Sequence, residues 1–241
     1  MDSSSKEFAG HISQQFNNEL SELKNHLLVM GGLVEQQVVD AVQAFVSLDS
    51  GFAEEVRGRD VDVDKLEVLI DEECVQVIAK RQPAAKDLRL VVSVAKMVND
   101  LERIGDEAKK IAKIAVAMAE EGESPRGYVE VRHIGEHVAK MVRDALDCFA
   151  RLDVEPALEI MKEDKVVDDE YKSATRALIT FMMEDPRSIS RILNVMWVLR
   201  ALERVGDHAQ NIAEHVIYMV KGEDVRHVPL DQVQNVIQKK N

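Results

Sequence analysis

The amino-acid sequence predicts an all-α fold: two tandem, internally duplicated three-helix bundles, six long helices in all. Three observations predict it. Across 241 residues there are only 5 prolines and 11 glycines, and aromatics make up 4 %, a composition that favours long helices over sandwiches or barrels. Apolar residues recur at alternating steps of four and three, the 3.5-residue period of packed helical seams. The chain also repeats itself: Leu101-Glu102-Arg103-Ile104-Gly105-Asp106 returns as Leu202-Glu203-Arg204-Val205-Gly206-Asp207, an offset of 101 positions. Asp40-Ala41, Phe45 and Leu48-Asp49 return as Asp144-Ala145, Phe149 and Leu152-Asp153 at an offset of 104, a drift that short loop insertions produce. A period near 100 residues is too long for a solenoid unit and fits a duplicated small domain.

The first helix is expected over Phe8 to Leu48, with a seam of Leu20, Leu23, Leu27, Met30, Val34, Ala41, Ala44 and Leu48. Its Met30-Gly31-Gly32 step predicts a loosening or kink. Asp49-Ser50-Gly51 turns the chain, and a second helix is expected over Phe52 to Lys80, ending at Gln82-Pro83. The third runs from Ala84 to Glu121 on Leu90, Val94, Met97, Leu101, Ile104, Ala108, Ile111, Ala115 and Met118. Glu121-Gly122-Glu123-Ser124-Pro125 is the expected boundary, dividing the chain into 1–122 and 123–241. The fourth helix shows Val138, Met141, Ala145, Cys148 and Leu152. Asp153 to Pro156 and Glu184-Asp185-Pro186 bound the fifth. The sixth repeats the third on Val195, Val198, Leu202, Val205, Ala209, Ile212, Val216 and Met219. A polar tail follows Lys221-Gly222, with a helical turn or two expected over Asp231 to Ile237. Helices of about 30 residues are roughly 45 Å long, and short connections make sequential neighbours antiparallel.

The net charge of −13 repels phosphate backbones and anionic lipid, so neither nucleic acid nor direct membrane insertion is expected. No 18-residue apolar run and no amino-terminal signal pattern is evident, so a cytoplasmic protein is expected. Cys74 and Cys148 lie inside helical patterns without CxxC spacing and read as reduced packing residues.

Chemistry concentrates in paired carboxylates. Glu102/Asp106 and Glu203/Asp207 are ExxxD pairs, and Asp60/Asp64 and Asp164/Asp168 are DxxxD pairs. A four-residue step puts both side chains of a pair on one helix face. Asp64 and Glu102 each lie 19 residues from Pro83, and Asp60 and Asp106 each lie 23. Around Pro186, Asp168 and Asp164 lie 18 and 22 residues before it, with Glu203 and Asp207 17 and 21 after. Each hairpin therefore brings four carboxylates to one level. Asp164 interrupts the apolar seam Ile160, Val167, Tyr171, Ala174, Leu178, Phe181, and Asp60 sits likewise between Val56 and Val63. A carboxylate in a seam wants a cation or hydrogen-bond donors. All-oxygen clusters suit Mg, Ca, Mn or Fe, with Zn as a borderline occupant. Beyond Asp106 come Lys109, Lys110 and Lys113, which offer salt bridges instead. Beyond Asp207 come Gln210, Asn211 and Glu214, and Asn211 and Glu214 join the candidate metal ligands. The competing reading is that acidic i,i+4 pairs are solvated helix faces. Paired ExxH motifs of the di-iron oxidase type are lacking, Glu130/His133 being a lone instance. His133 and His137 are spaced to chelate zinc, though without cysteine partners. Gly105 and Gly206 sit mid-helix, where glycine costs about 1 kcal/mol against alanine, so close packing or ligand access is expected there.

The stretches Met30 to Gln37 (MGGLVEQQ), Ile78 to Arg89 (IAKRQPAAKDLR), LERIGD, Met182 to Ser188 (MMEDPRS), LERVGD and Tyr218 to Val228 (YMVKGEDVRHV), in this order, resemble the PhoU family over essentially the full length. The resemblance implies two tandem PhoU domains in a cytoplasmic, often dimeric, non-enzymatic regulator that represses the phosphate-starvation response. It implies partners in the ATPase subunit of the Pst phosphate transporter and a PhoR-type sensor histidine kinase, and hence a place at the inner face of the membrane through those partners. It also implies E(D)xxxD motifs able to bind iron or other metal clusters, which fall here on Asp60/Asp64, Glu102/Asp106, Asp164/Asp168 and Glu203/Asp207. The rival functions are a metal-dependent hydrolase or oxidase, and a purely structural helical spacer.

Overall fold

The computed structural model describes residues 3–121 and 127–239. Among these it forms eight α-helices: α1 (Ser3–Ser47), α2 (Ser50–Gly58), α3 (Asp60–Arg81), α4 (Ala85–Glu121), α5 (Tyr128–Arg151), α6 (Glu155–Glu184), α7 (Ile189–Lys221) and α8 (Leu230–Gln238). A 3₁₀ turn, Pro186–Ser188, joins α6 to α7. The fold is all-α, as the period predicts. The expected boundary at 122/123, with Pro125, lies outside the described residues.

The expected second helix is two helices. Gly58 ends α2 and Arg59 interrupts the run for one residue before α3 starts at Asp60. Glycine is a poor helix former, and Asp60 and Asp62 in the next first turn favour a fresh N-terminus, where carboxylates meet free N–H groups. The copy has no glycine there and α6 runs unbroken. Asp49 caps α2 by accepting from the Phe52 N–H at 2.9 Å.

The seams of α4 and α7 are buried along their whole length. The seam of α5 stops one step short: Leu152 is 41 % exposed because it sits past the helix end in a left-handed conformation, φ 54°. Leu48 does the same after α1, at φ 56°. In both, the next N–H reaches back five residues, Asp49 to the Ala44 carbonyl and Asp153 to the Cys148 carbonyl, each at 3.1 Å.

The two repeats pack side by side into one buried cluster, α4 antiparallel to α7 and α1 antiparallel to α5. Gly31 does not break α1. It forms a hole for a side chain of the other repeat: a Cβ there would collide with Leu146 of α5. Gly135 of α5 does the same for Val42 of α1, where a Cβ would lie 2.7 Å from Cγ2. Gly31 and Gly135 are 104 apart, as are Val42 and Leu146, so the contact is exchanged between repeats. That exchange is the mark of an approximate two-fold relation.

Candidate functional site

The carboxylate level of the second repeat is built from α6 and α7. Asp164 and Asp168 stand one turn apart on α6, and Glu203 and Asp207 one turn apart on α7. Gly206 lets the helices approach: a Cβ there would sit 3.3 Å from Asp164 Oδ1 and 3.6 Å from Val167 Cγ1. Asp164 is half-buried, and no described residue donates it a hydrogen bond. Burial, then the charges of Asp207, Asp168 and Glu203, push its pKa up to about 7. Glu203 is buried, with one oxygen paired to Arg200 and Oε2 unpartnered; burial and Asp207 raise its pKa. Asp207, at the mouth, is raised by partial burial and by Asp168. Asp168 pairs with Lys172 at 3.4 Å. The structure thus brings Asp164, Asp168, Glu203 and Asp207 within electrostatic reach of one another.

The remaining two residues of the set face elsewhere. Asn211 donates to Asp100 at 3.1 Å. Glu214 is buried, accepts from Gln210 at 3.0 Å, and is raised by burial. It adds charge to the neighbourhood of Asp164 from farther along α7.

In the first repeat α3 and α4 make the same level with a different charge balance. Asp60 is buried and pairs with Lys109. Glu102 is raised by burial and by Asp106, Asp60 and Asp64, and lies 3.4 Å from Arg103. Asp64 is exposed and Asp106 half-buried. Glu67 belongs here too: burial, then Glu102, Asp71 and Asp64, raises it. Its place one heptad after Asp60 on α3 is a readable signal that the i,i+4 pairing overlooks. Beneath the level, Gln37 of α1 is buried with both amide atoms unpartnered, facing Gly105 beside Asp60. Among the described residues, no three His, Cys, Asp or Glu side chains yet surround a single point in either repeat.

A second set of buried charges, between the repeats, was not foreseen from spacing. Asp100 of α4 accepts from His208 at 2.9 Å and from Asn211, and lies 3.4 Å from His215, all on α7. Burial alone would raise its pKa, but these donors outweigh it and hold the carboxyl low. Glu107 of α4 is buried between Arg204 of α7 at 2.9 Å and Lys110 at 3.0 Å. Cys74 and Cys148 are free and buried, their thiols pushed up to about 12 by burial.

The model of the PhoU domain matches this chain twice, over residues 27–115 and 131–216. The chain belongs to the PhoU family. Each matched stretch contains one carboxylate level. A protein of Pseudomonas aeruginosa described as a phosphate-specific transport system accessory protein PhoU homolog is 60 % identical over 228 residues, covering 95 % of this chain and 94 % of that one. The PhoU accessory protein of Escherichia coli is 45 % identical, with 94 % of each chain covered. The crystal structure of PhoU from Pseudomonas aeruginosa superposes with a TM-score of 0.84 at 62 % identity, covering 86 % of this chain and all 100 % of that one. The phosphate transport system regulatory protein PhoU from Streptococcus pneumoniae gives 0.80 at 29 % identity, over 87 % and 99 %. Among the described residues no helix is long and apolar enough to cross a membrane.

Proposed function

We propose that this chain is the accessory regulator of a phosphate-specific transport system. It docks on the transporter's ATPase subunit and on a PhoR-type sensor kinase, and it restrains the phosphate-starvation response when phosphate is plentiful. The observation that carries this reading is the near-full-length likeness to proteins described as phosphate transport accessory proteins. Long helices packed through two shared interfaces form a rigid body whose outer faces are available for docking, which suits an adaptor working as a dimer in the cytoplasm.

The second repeat fits a bound metal better than the first. Among the described residues Asp164 has no donor, Glu203 keeps an unpartnered buried oxygen, and all-oxygen donors suit Mg, Ca, Mn or Fe. A bound cation would compete with Arg200 for Glu203 and with Lys172 for Asp168. A cation there would neutralise the charge crowded at the α6–α7 level and lock the two helices together. In the first repeat Lys109 already supplies Asp60 with a positive charge.

Deletion of the gene and return of the wild type or Glu203→Ala/Asp207→Ala protein tests both parts. Deletion should derepress a phosphate-starvation reporter in phosphate-rich medium, and the wild type should restore silence. Purified wild-type protein should retain metal by elemental analysis and recover kinase and ATPase in pull-downs. A deletion strain that stays repressed, with pull-downs that recover neither partner, would refute the adaptor reading.

A further inference from the structure

The contact between Gly135 of α5 and Val42 of α1 differs from its counterpart at the other end of the same interface. There Leu146 fills the hole over Gly31. Here the filler is the shorter Val42, and beside it a groove of about 450 Å³ runs between α1 and α5. Val39, Val42 and Val46 of α1 form its apolar wall, and Gly135 lies opposite Val42. The offset of 104 turns these three valines into Arg143, Leu146 and Ala150, so the wall is apolar in one repeat only.

The charges differ as well. Around Leu146 they pair with one another, Arg143 with Glu35 at 2.6 Å and Arg151 with Asp147 at 3.5 Å. The groove is edged instead by Arg132 and Glu136, one turn apart on α5. Among the described residues neither has a hydrogen-bonding or ion-pairing partner. Because α1 and α5 are antiparallel, Arg132 stands toward the Val46 end, and Glu136 stands beside Gly135 farther along. One end of the groove is thus cationic, its length is apolar, and a lone carboxylate flanks that length.

We propose that this groove binds an amphipathic monoanion, a linear aliphatic acid with a single carboxylate headgroup. The headgroup sits on Arg132, whose planar guanidinium can give a carboxylate two parallel N–H donors. The chain lies along Val46, Val42 and Val39, which span one heptad, about 10 Å. An apolar cavity of about 150 Å³ holds benzene, so the groove has room for a chain of roughly eight carbons. Glu136 repels a second anionic group on the chain, which sets a monoacid apart from a diacid of the same length. An apolar lining with a few placed polar groups, in about 300–1,000 Å³, is the pattern of small-molecule sites. A bound chain touches α1 and α5 together and so ties one repeat to the other. The proposal does not depend on the adaptor reading.

Octanoate titrated into the full-length ¹⁵N-labelled protein, well below the concentration at which it forms micelles, tests this. The Gly135 amide resonance should move and saturate while that of its counterpart Gly31 stays in place. Suberate, the diacid of the same length, should bind at least about 10-fold more weakly. Arg132→Gln should raise the octanoate Kd about 10-fold, the loss of one charge-assisted pair. Val39→Glu, at a position already 36 % exposed, should raise it by at least as much, and circular dichroism should show both variants folded. Arg143→Gln should leave binding unchanged. Octanoate that leaves Gly135 unmoved overturns the proposal. So does binding undiminished in Arg132→Gln and Val39→Glu, which marks an adventitious additive only. A groove that refuses octanoate while Val39→Glu loses a protein partner in pull-downs is a protein-docking slot, and that result overturns the proposal too.

Discussion

Replacing Asp164 with Asn should stabilise the metal-free protein, and the gain should depend on pH. The Asp164 carboxyl is raised from 3.8 to about 7 in the folded state. Between those values the folded protein holds a proton that the unfolded chain has released. Stability therefore falls as pH rises through the window, and the full penalty is present above about 7. A shift of about 3 units corresponds to about 4 kcal/mol, and partial access of solvent to the carboxyl reduces this to about 2–3 kcal/mol. Asn keeps the shape and removes the charge. For a chain of this size each kcal/mol moves the midpoint by about 2–4 °C, so Asp164→Asn should melt roughly 5–10 °C above wild type at pH 8 in chelator. Near pH 4 the two should coincide. Adding Mn²⁺ or Mg²⁺ at pH 8 should raise the wild type and leave the variant nearly unmoved. A variant no more stable than wild type at pH 8, or a difference that does not change between pH 4 and 8, would refute the account of a crowded, uncompensated carboxylate.

Other perturbations have expected signs. Gly105→Ala should stabilise by up to about 1 kcal/mol, since a Cβ there meets nothing closer than 3.5 Å and gains helix propensity; urea unfolding measures it. Gly31→Ala should cost about 1–3 kcal/mol by colliding with Leu146, and Leu146→Ala in the same chain should recover part of that loss in a double-mutant cycle. Lys109→Gln should destabilise by about 1–3 kcal/mol by stranding buried Asp60, and added divalent cation should restore the loss. Asp100→Ala should cost about 2–4 kcal/mol at pH 7, because His208, Asn211 and His215 lose their shared acceptor. The depressed pKa of Asp100 stabilises above the ordinary carboxylate range and is lost as pH falls through its folded value, so the mutational cost should shrink in acid.

Within each repeat the seam residues are readable because a 3.5-residue period states directly which positions face a neighbour. It does not state how many neighbours there are. Val91, Val98, Gly105 and Ala112 form a second heptad stripe on α4, and Ile192, Leu199, Gly206 and Ala213 form its copy on α7; all eight are buried. Two stripes on one helix mean a central helix, packed on more than one side. With that signal, Asp100 and Glu107 cease to look like solvated charges and become buried ones in need of partners. The Gly58 break is harder to read, since one glycine costs too little to decide whether a helix stops. The exchange of Gly31 and Gly135 is legible only once the offset of 104 is applied to their partners, Leu146 and Val42, which sequence alone does not reveal. Equal distance from a turn does place four carboxylates at one level, but it is blind to the Lys109, Arg200 and Lys172 side chains that reach in among them.

The duplicated halves have kept one geometry and divided its electrostatics. Both place a glycine where an aspartate of the neighbouring helix presses in, and both surround that aspartate with an ExxxD pair. One turn farther along, Lys109, Lys110 and Lys113 occupy the positions that hold Gln210, Asn211 and Glu214 in the copy, 101 residues on. Three positive charges stand against two neutral amides and one negative charge. A buried carboxylate must be paired, protonated or joined to a cation. In the first repeat Lys109 pairs Asp60. In the second no described residue plays that part for Asp164, and its carboxyl is pushed up to about 7, so it holds a proton near neutrality unless, as proposed, a cation takes its place. On the proposed loading, the first repeat should pack the same at every metal level, while the α6–α7 interface should stiffen with occupancy. Because α7 also carries the cross-repeat partners of Asp100 and Glu107, a change at Asp164 is one helix away from the interface that joins the two repeats.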